Sequence, residues 1–317
     1  MKAAIVTQPN HPPIYSDFET PTPAPGEHSV AVTAAALSHL VKSRASGAHY
    51  TSAGKYPYVV GVDGVGRLDD GRRVYFICPE LPYGSMAETA VPKASHCILL
   101  PDNLDDVTAA AIVNPGVSSW AAFRERAKLA PGETVLVNGA TGAAGRLAVQ
   151  IAKYLGAERV IATGRNAEAL KSLEALGADV TIPLSTDAEA VEGDFKEQFA
   201  TGVDVVIDYL WGQSAEGLLI AASRAAKGSA RIRFVQVGAI SGANITLAGA
   251  VLRSTAIELM GSGIGSIPLN RLMKVVAELL QATIPGGFAI AAKAIPLSQV
   301  EKAWNTAAGL PRIVFVS

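Results

Sequence analysis

The sequence predicts an α/β protein in which a β-rich part opens and closes the chain around a doubly wound parallel sheet. Three observations carry this. Short β-branched or alternating runs, punctuated by Pro and Gly, fill the region up to residue 100. Strands and helices then alternate from residue 134 to residue 261. The turn Gly139-Ala140-Thr141-Gly142-Ala143-Ala144-Gly145 joins the first of those strands to its helix.

Residues 3–7, 29–36, 58–65, 73–77 and 85–91 read as strands, with breaks at 21–26 and 69–71. One short helix fits 40–45. Near Leu104 the character changes. Residues 105–113 and 117–129 have helical composition, and Asn114-Pro115-Gly116 is expected to break them apart. Pro131-Gly132-Glu133 turns the chain into a strand at 135–138, followed by a helix at 144–155. Further strands are expected at 159–163, 180–183, 203–209, 233–237 and 258–261, with helices at 167–176, 187–199 and 215–226 between them. Such alternation builds a parallel sheet. The helix at 269–281 carries Leu272, Val275, Val276 and Leu279 as one apolar stripe. A strand at 289–295, a helix at 297–308 and a strand at 313–316 end the chain and are expected to pack on the first part.

At 317 residues the chain suits two domains, divided as 1–113 with 264–317, and 114–263. Hydrophobic residues make up 49% and charged residues 17%, the balance of a folded chain and not a disordered one. A formal net charge of −1, without any stripe of Lys and Arg, argues against nucleic acid or an anionic membrane as partner. Cys78 and Cys97 make neither a disulfide framework nor a CxxC motif. No apolar signal segment and no stretch long enough to span a membrane is found, so the cytoplasm is expected.

The glycine-rich turn has a physical reading. Gly139 permits a tight turn, Gly142 lets backbone approach a pyrophosphate, and Gly145 permits close helix packing. The helix start at Ala143 and Ala144 offers free N–H groups and the positive end of the helix dipole. Strand before and helix after make this GxxGxxG spacing a dinucleotide-phosphate site, and Thr141 belongs to it. The second strand ends Ala162-Thr163-Gly164-Arg165-Asn166, with no acid before Glu168. An acid there would bind a ribose 2′-hydroxyl, whereas Arg165 suits a 2′-phosphate, so NADPH is the expected cofactor. Lys171 is expected to be solvated.

These residues resemble the medium-chain dehydrogenase/reductases. The resemblance rests on Pro131-Gly132-Glu133-Thr134-Val135-Leu136-Val137, the GATGAAG turn, Gln150-Ile151-Ala152-Lys153 and Leu176-Gly177-Ala178-Asp179. It extends to Met1-Lys2-Ala3-Ala4, to Gly61-Val62-Asp63-Gly64-Val65-Gly66 and to the stretch 116–123, and so covers nearly the whole chain. The branch it resembles is the zinc-free quinone oxidoreductases and related enone reductases. The resemblance implies a GroES-like β-rich catalytic domain with an inserted Rossmann domain, and a homodimer or larger oligomer.

It also implies site residues. Ser118 stands where the family has a Thr near the nicotinamide. Val237 and Gly238 end the fifth Rossmann strand, and Gly261 and Gly263 end the last. On the substrate side, Tyr50 matches a Tyr of the cleft, Ser38 replaces the usual Asn, and His39 replaces a Pro. Tyr56, Tyr209 and Trp211 could line a site for a flat ring, and Lys42 is expected to be solvated. Val62 stands where the zinc branch has its ligand His, and no Cys lies in 36–39, so no metal is expected. The implied activity is NADPH-dependent, zinc-independent hydride transfer to a quinone or α,β-unsaturated carbonyl, with a proton from Tyr50, His39 or water. A non-catalytic NADPH-binding protein of the same fold, or a degenerate alcohol dehydrogenase, are the alternatives.

Overall fold

The computed structural model describes residues 1–47, 55–77, 80–184, 187–226, 230–306 and 311–317. They divide into two compact units, Met1–Asn114 with Val276–Ser317, and Pro115–Val275.

The first unit opens with strands β1 (Lys2–Val6), β2 (Ile14–Asp17) and β3 (Val30–Ala36). Helix α1 (His39–Ala45) follows, then β4 (Tyr58–Val59), β5 (Asp63–Leu68), β6 (Arg73–Ile77), β7 (Thr89–Ala90) and β8 (Cys97–Leu99). The run expected at 58–65 is therefore two strands. They belong to two sheets: β4 pairs with β1, and β5 pairs with β3 and β6. Of the strand expected at 85–91, Thr89–Ala90 is paired in the ladder.

Helix α2 (Asp106–Ala121) runs straight through Pro115, contrary to the break expected there. Residues Ala109 to Val113 are 0–1% exposed, and Ser118 and Ser119 both aim their hydroxyls at the Pro115 carbonyl, at 2.7 and 3.3 Å. A proline inside a helix costs about 3 kcal/mol, yet burying three or four large side chains offsets that. Tertiary packing has overridden the local signal. A π-helical turn, Ala122–Ala127, ends the segment at Lys128, whose φ is 54°.

The second unit holds β9 (Thr134–Asn138), α3 (Ala143–Tyr154), β10 (Arg159–Gly164), α4 (Ala167–Lys171) and β11 (Val180–Pro183). It continues with α5 (Ala188–Thr201), β12 (Val205–Asp208), α6 (Gly212–Ala225), β13 (Ile232–Gln236), α7 (Gly249–Ser254) and β14 (Ile257–Gly261). The sheet order is β11-β10-β9-β12-β13-β14, with every neighbouring pair parallel. This is the doubly wound order, and the switch point lies between β9 and β12. One face is covered by a core of Phe195, Phe199, Leu218, Leu219 and Phe234, each no more than 2% exposed. The other side of β9 meets α3, whose Leu147, Ala148, Ile151 and Ala152 are fully buried.

Helix α8 (Leu269–Thr283) buries Val275, Val276 and Leu279 of the stripe read from sequence and leaves Leu272 partly exposed. The tail is β15 (Ala292–Pro296), α9 (Val300–Trp304) and β16 (Arg312–Val316). β16 pairs with β15 on one side and with β3 on the other, so the end of the chain completes the sheet of the first unit.

Candidate dinucleotide site

The turn after β9 is shaped by its glycines. Gly139 sits at φ +85°, where a Cβ would press on Leu210 at 2.7 Å. A Cβ on Gly145 would stand 2.4 Å from the Gly139 carbonyl oxygen and 2.5 Å from the Ala140 Cα, so α3 can approach the turn this closely only with glycine there. Gly142 is different: its Cβ direction is open space. It is also the residue that begins α3, and no side chain caps that helix end. The first-turn N–H groups at Ala143, Ala144 and Gly145 therefore face outward without a side-chain acceptor.

A buried polar network, not anticipated from sequence, holds the turn from below. The Asn138 amide donates to Asp208 at 2.8 Å, and Asn138 Oδ1 accepts from Thr163 at 2.6 Å and from Ser214 at 3.0 Å. Thr163 Oγ1 in turn accepts the Gly139 N–H at 3.1 Å. Asp208 also accepts from the backbone N–H groups of Leu210 and Trp211. Burial pushes its carboxyl above the usual range, and these hydrogen bonds oppose the rise. The signal was in the sequence: Asn138 and Asp208 are the polar residues that close two apolar strands.

The other expected cofactor residues lie in this unit too, most of them at the carboxyl ends of the strands and Ser118 within α2. Gly164 ends β10, buried beside Thr141. Arg165, the next residue, is exposed and makes no ion pair among the described residues. Asn166 caps α4 by accepting from Ala169 N at 2.8 Å, which fixes the backbone immediately after Arg165. Lys171 is exposed. The N–H groups of Val237 and Gly238 are both spent on the Asp208 carbonyl, at 2.7 and 3.1 Å. Gly261 ends β14, and Gly263 is locked in a turn with Ser266. Ser118 donates to Pro115; its neighbour Ser119, missed from sequence, is fully buried against the Tyr209 hydroxyl at 2.7 Å and the Ala144 carbonyl at 3.1 Å.

Three of the aromatic candidates for a ring site also make packing contacts. Tyr209 is buried with its hydroxyl on Ser119, and burial pushes its phenol up to about 12. Trp211 packs edge-on to Phe234 in the sheet core, at 6.5 Å between centroids. Tyr56 packs on Tyr58 at 5.5 Å.

Ser38 and His39 belong to the first unit. Ser38 is buried, and its hydroxyl accepts the Val41 N–H at 3.1 Å, so it is the N-cap of α1. His39 is exposed on that helix. Tyr50 lies outside the described residues. Lys42, expected in solvent, is half-buried and donates to the Thr306 carbonyl at 2.6 Å. Val62 sits in an apolar cluster with Val60, Met86 and Phe315. Its neighbour Asp63 is buried; it accepts the Tyr75 hydroxyl at 2.5 Å, and burial pushes its carboxyl up to about 6.

Comparison with known proteins agrees with this architecture. The probable NADPH-dependent quinone reductase tdiC of Emericella nidulans is 31% identical, over 96% of this chain and 96% of its own. The chain belongs to the medium-chain dehydrogenase/reductases, in their quinone-reductase branch. It is an oxidoreductase by that membership. The family model described as zinc-binding dehydrogenase matches residues 143–282, beginning within the glycine-rich turn. The quinone oxidoreductase of Thermus thermophilus, also solved in complex with NADPH, superposes over the whole of both chains with TM-score 0.82 and 25% identity. A mycobacterial quinone oxidoreductase reaches TM-score 0.85 at 23% identity, again over the whole of both chains, which speaks for the fold.

Proposed function

We propose that this oxidoreductase uses NADPH to reduce a quinone or an α,β-unsaturated carbonyl, and that it does so without zinc. The observation that carries the reading is Val62. Where the zinc branch has a ligand His, this chain has an apolar side chain buried among apolar neighbours. Among the described residues, no three of His, Cys, Asp and Glu stand together as a metal site would need. A conjugated acceptor carries its own electron sink and needs no Lewis acid.

The residues fit the cofactor. The open side of Gly142 and the uncapped start of α3 suit the pyrophosphate, and Arg165 suits the 2′-phosphate as a fork of donors. When bound, NADPH supplies a hydride to the acceptor. The chain positions the dinucleotide through the turn at 139–145, which the Asn138–Asp208 network keeps in shape. His39, exposed on α1, Tyr50 or water delivers the proton. Two cysteines without a disulfide framework support a reducing compartment, the cytoplasm; no helix among the described residues is long and apolar enough to cross a membrane. Strand β14 ends its sheet with Leu259 exposed, which supports pairing with a second copy of the chain.

Steady-state oxidation of NADPH tests the reading, with benzoquinone, naphthoquinone and a short enone run beside NADP-linked oxidation of ethanol and benzyl alcohol. Turnover is expected with the conjugated acceptors. Turnover confined to the alcohols would overturn it, and turnover with none would favour a non-catalytic binding protein.

A further inference from the structure

The first unit carries a pocket that the dinucleotide reading leaves unused. Helix α1 turns His39 and Lys42 to one side while Val41 and Ala45 enter the core. Asn10 and His11 approach from the loop after β1, and Trp304 and Asn305 from the end of α9. Together they enclose about 500 Å³, open to solvent, and no carboxylate is part of the lining.

The charge in this pocket is unbalanced. Lys2, Lys93, Lys153 and Lys196 each have a carboxylate oxygen within 2.5–2.9 Å. Lys42, like the exposed Lys171, Lys293 and Lys302, makes no ion pair among the described residues, but it is half-buried, and its hydrogen bond goes to the Thr306 carbonyl, a neutral acceptor. Burial pushes its ammonium below the usual lysine range, and no acid offsets the fall. An ammonium has three donors, so two remain for a ligand. His11 lines the pocket but gives an anion no donor, because in its neutral ring the nitrogen left over is an acceptor. Its Nδ1 lies 3.0 Å from the Pro9 carbonyl, which can only accept, so Nδ1 carries the proton and Nε2 is left over. Asn10 and Asn305 supply amide donors, and the edge of Trp304 supplies an apolar wall.

We propose that this pocket binds a small organic anion, its carboxylate or phosphate against the Lys42 ammonium and its apolar body toward Trp304. The proposal stands on the first unit alone and does not depend on the reductase reading. The shared chemistry is the oxyanion; it can arrive as the acid group of an organic ligand or as free inorganic phosphate.

Calorimetric titration of the full chain with benzoate, phenyl phosphate and the uncharged benzamide tests it. One or both anions are expected to saturate at millimolar concentration, and benzamide is not. Lys42→Met should weaken anion binding about ten- to a hundredfold, the worth of a charge-assisted hydrogen bond, and Lys42→Arg should retain it. Repeating the titration with inorganic phosphate as competitor separates the sources. Displacement of benzoate by millimolar phosphate assigns the site to free phosphate, and retention assigns it to an organic acid. No saturable binding by either anion, or benzamide binding as tightly as benzoate, would overturn the proposal. If Lys42→Met fails to fold, the benzoate and benzamide comparison on the natural chain decides alone.

Discussion

Asn138 and Asp208 are register partners on adjacent strands, and their side chains join at 2.8 Å with no exposure to solvent. Through Thr163 the pair reaches the N–H of Gly139, the first residue of the phosphate turn. Asn138→Ala leaves the Asp208 carboxylate short of a donor and frees Thr163 and Ser214 of their acceptor. We expect a loss of about 1–3 kcal/mol in unfolding free energy, read by denaturant titration, together with a higher Kd for NADPH. Unchanged values of both would show that the network does not hold the turn.

Arg165 is exposed and without an ion pair among the described residues, so its removal should cost the fold little and the cofactor much. Arg165→Ala is expected to weaken NADPH about ten- to a hundredfold and to leave NADH alone. Fluorescence titration of both cofactors gives the answer; an undiminished preference for NADPH would send the 2′-phosphate elsewhere.

Asp63 makes a pH prediction whose sign is opposite to the usual carboxylate case. Its folded pKa is raised from 3.8 to about 6, so the folded chain holds a proton that the unfolded chain releases. The stability from this group is full below the lower value and is lost as pH rises to about 6, a fall of roughly 3 kcal/mol for a two-unit shift. Asp179 behaves the other way, since its hydrogen bonds and Lys153 lower its pKa; its contribution is lost only as pH drops below 3.8. Between pH 4 and pH 7 the unfolding free energy of the natural chain should therefore decline relative to that of the Asp63→Asn chain. Parallel profiles for the two chains would refute the assignment.

Zinc content follows from Val62. Elemental analysis of the purified chain should find far less than one zinc per chain, and chelation should leave quinone turnover intact. Stoichiometric zinc lost together with activity would contradict the proposal.

Light scattering at micromolar concentration should give at least twice the mass of one chain. Placing a charge on the exposed edge, as in Leu259→Lys, should shift the population toward single chains. A single-chain mass for the natural protein would remove the dimer.

Much of this was legible in the sequence because backbone demands leave residue signatures. The turn at 139–145 could be read because a positive φ at Gly139 and a close approach at Gly145 tolerate little else. The six parallel strands announced themselves as apolar runs between helices. What failed was local reading overruled by tertiary context. Pro115 ought to end a helix, yet a buried face carries α2 past it. Tyr209 and Trp211 also pack within their own unit, at Ser119 and Phe234, and stay proposals for the ring site. Ser38, proposed on the substrate side, also caps a helix, a structural role that spacing alone does not reveal. The Asn138–Asp208 pair went unread because 70 residues separate its members and only sheet order reveals them as neighbours.

Helix α3 begins without a side-chain cap. Whatever anion satisfies its first turn engages the folded chain and not the unfolded one, so the endurance of the protein becomes a property of its surroundings. Free cofactor at a hundred times its Kd adds about 2.7 kcal/mol by mass action. Resistance to proteases is then expected to rise with the supply of the dinucleotide, oxidised or reduced, since both forms carry the same phosphates.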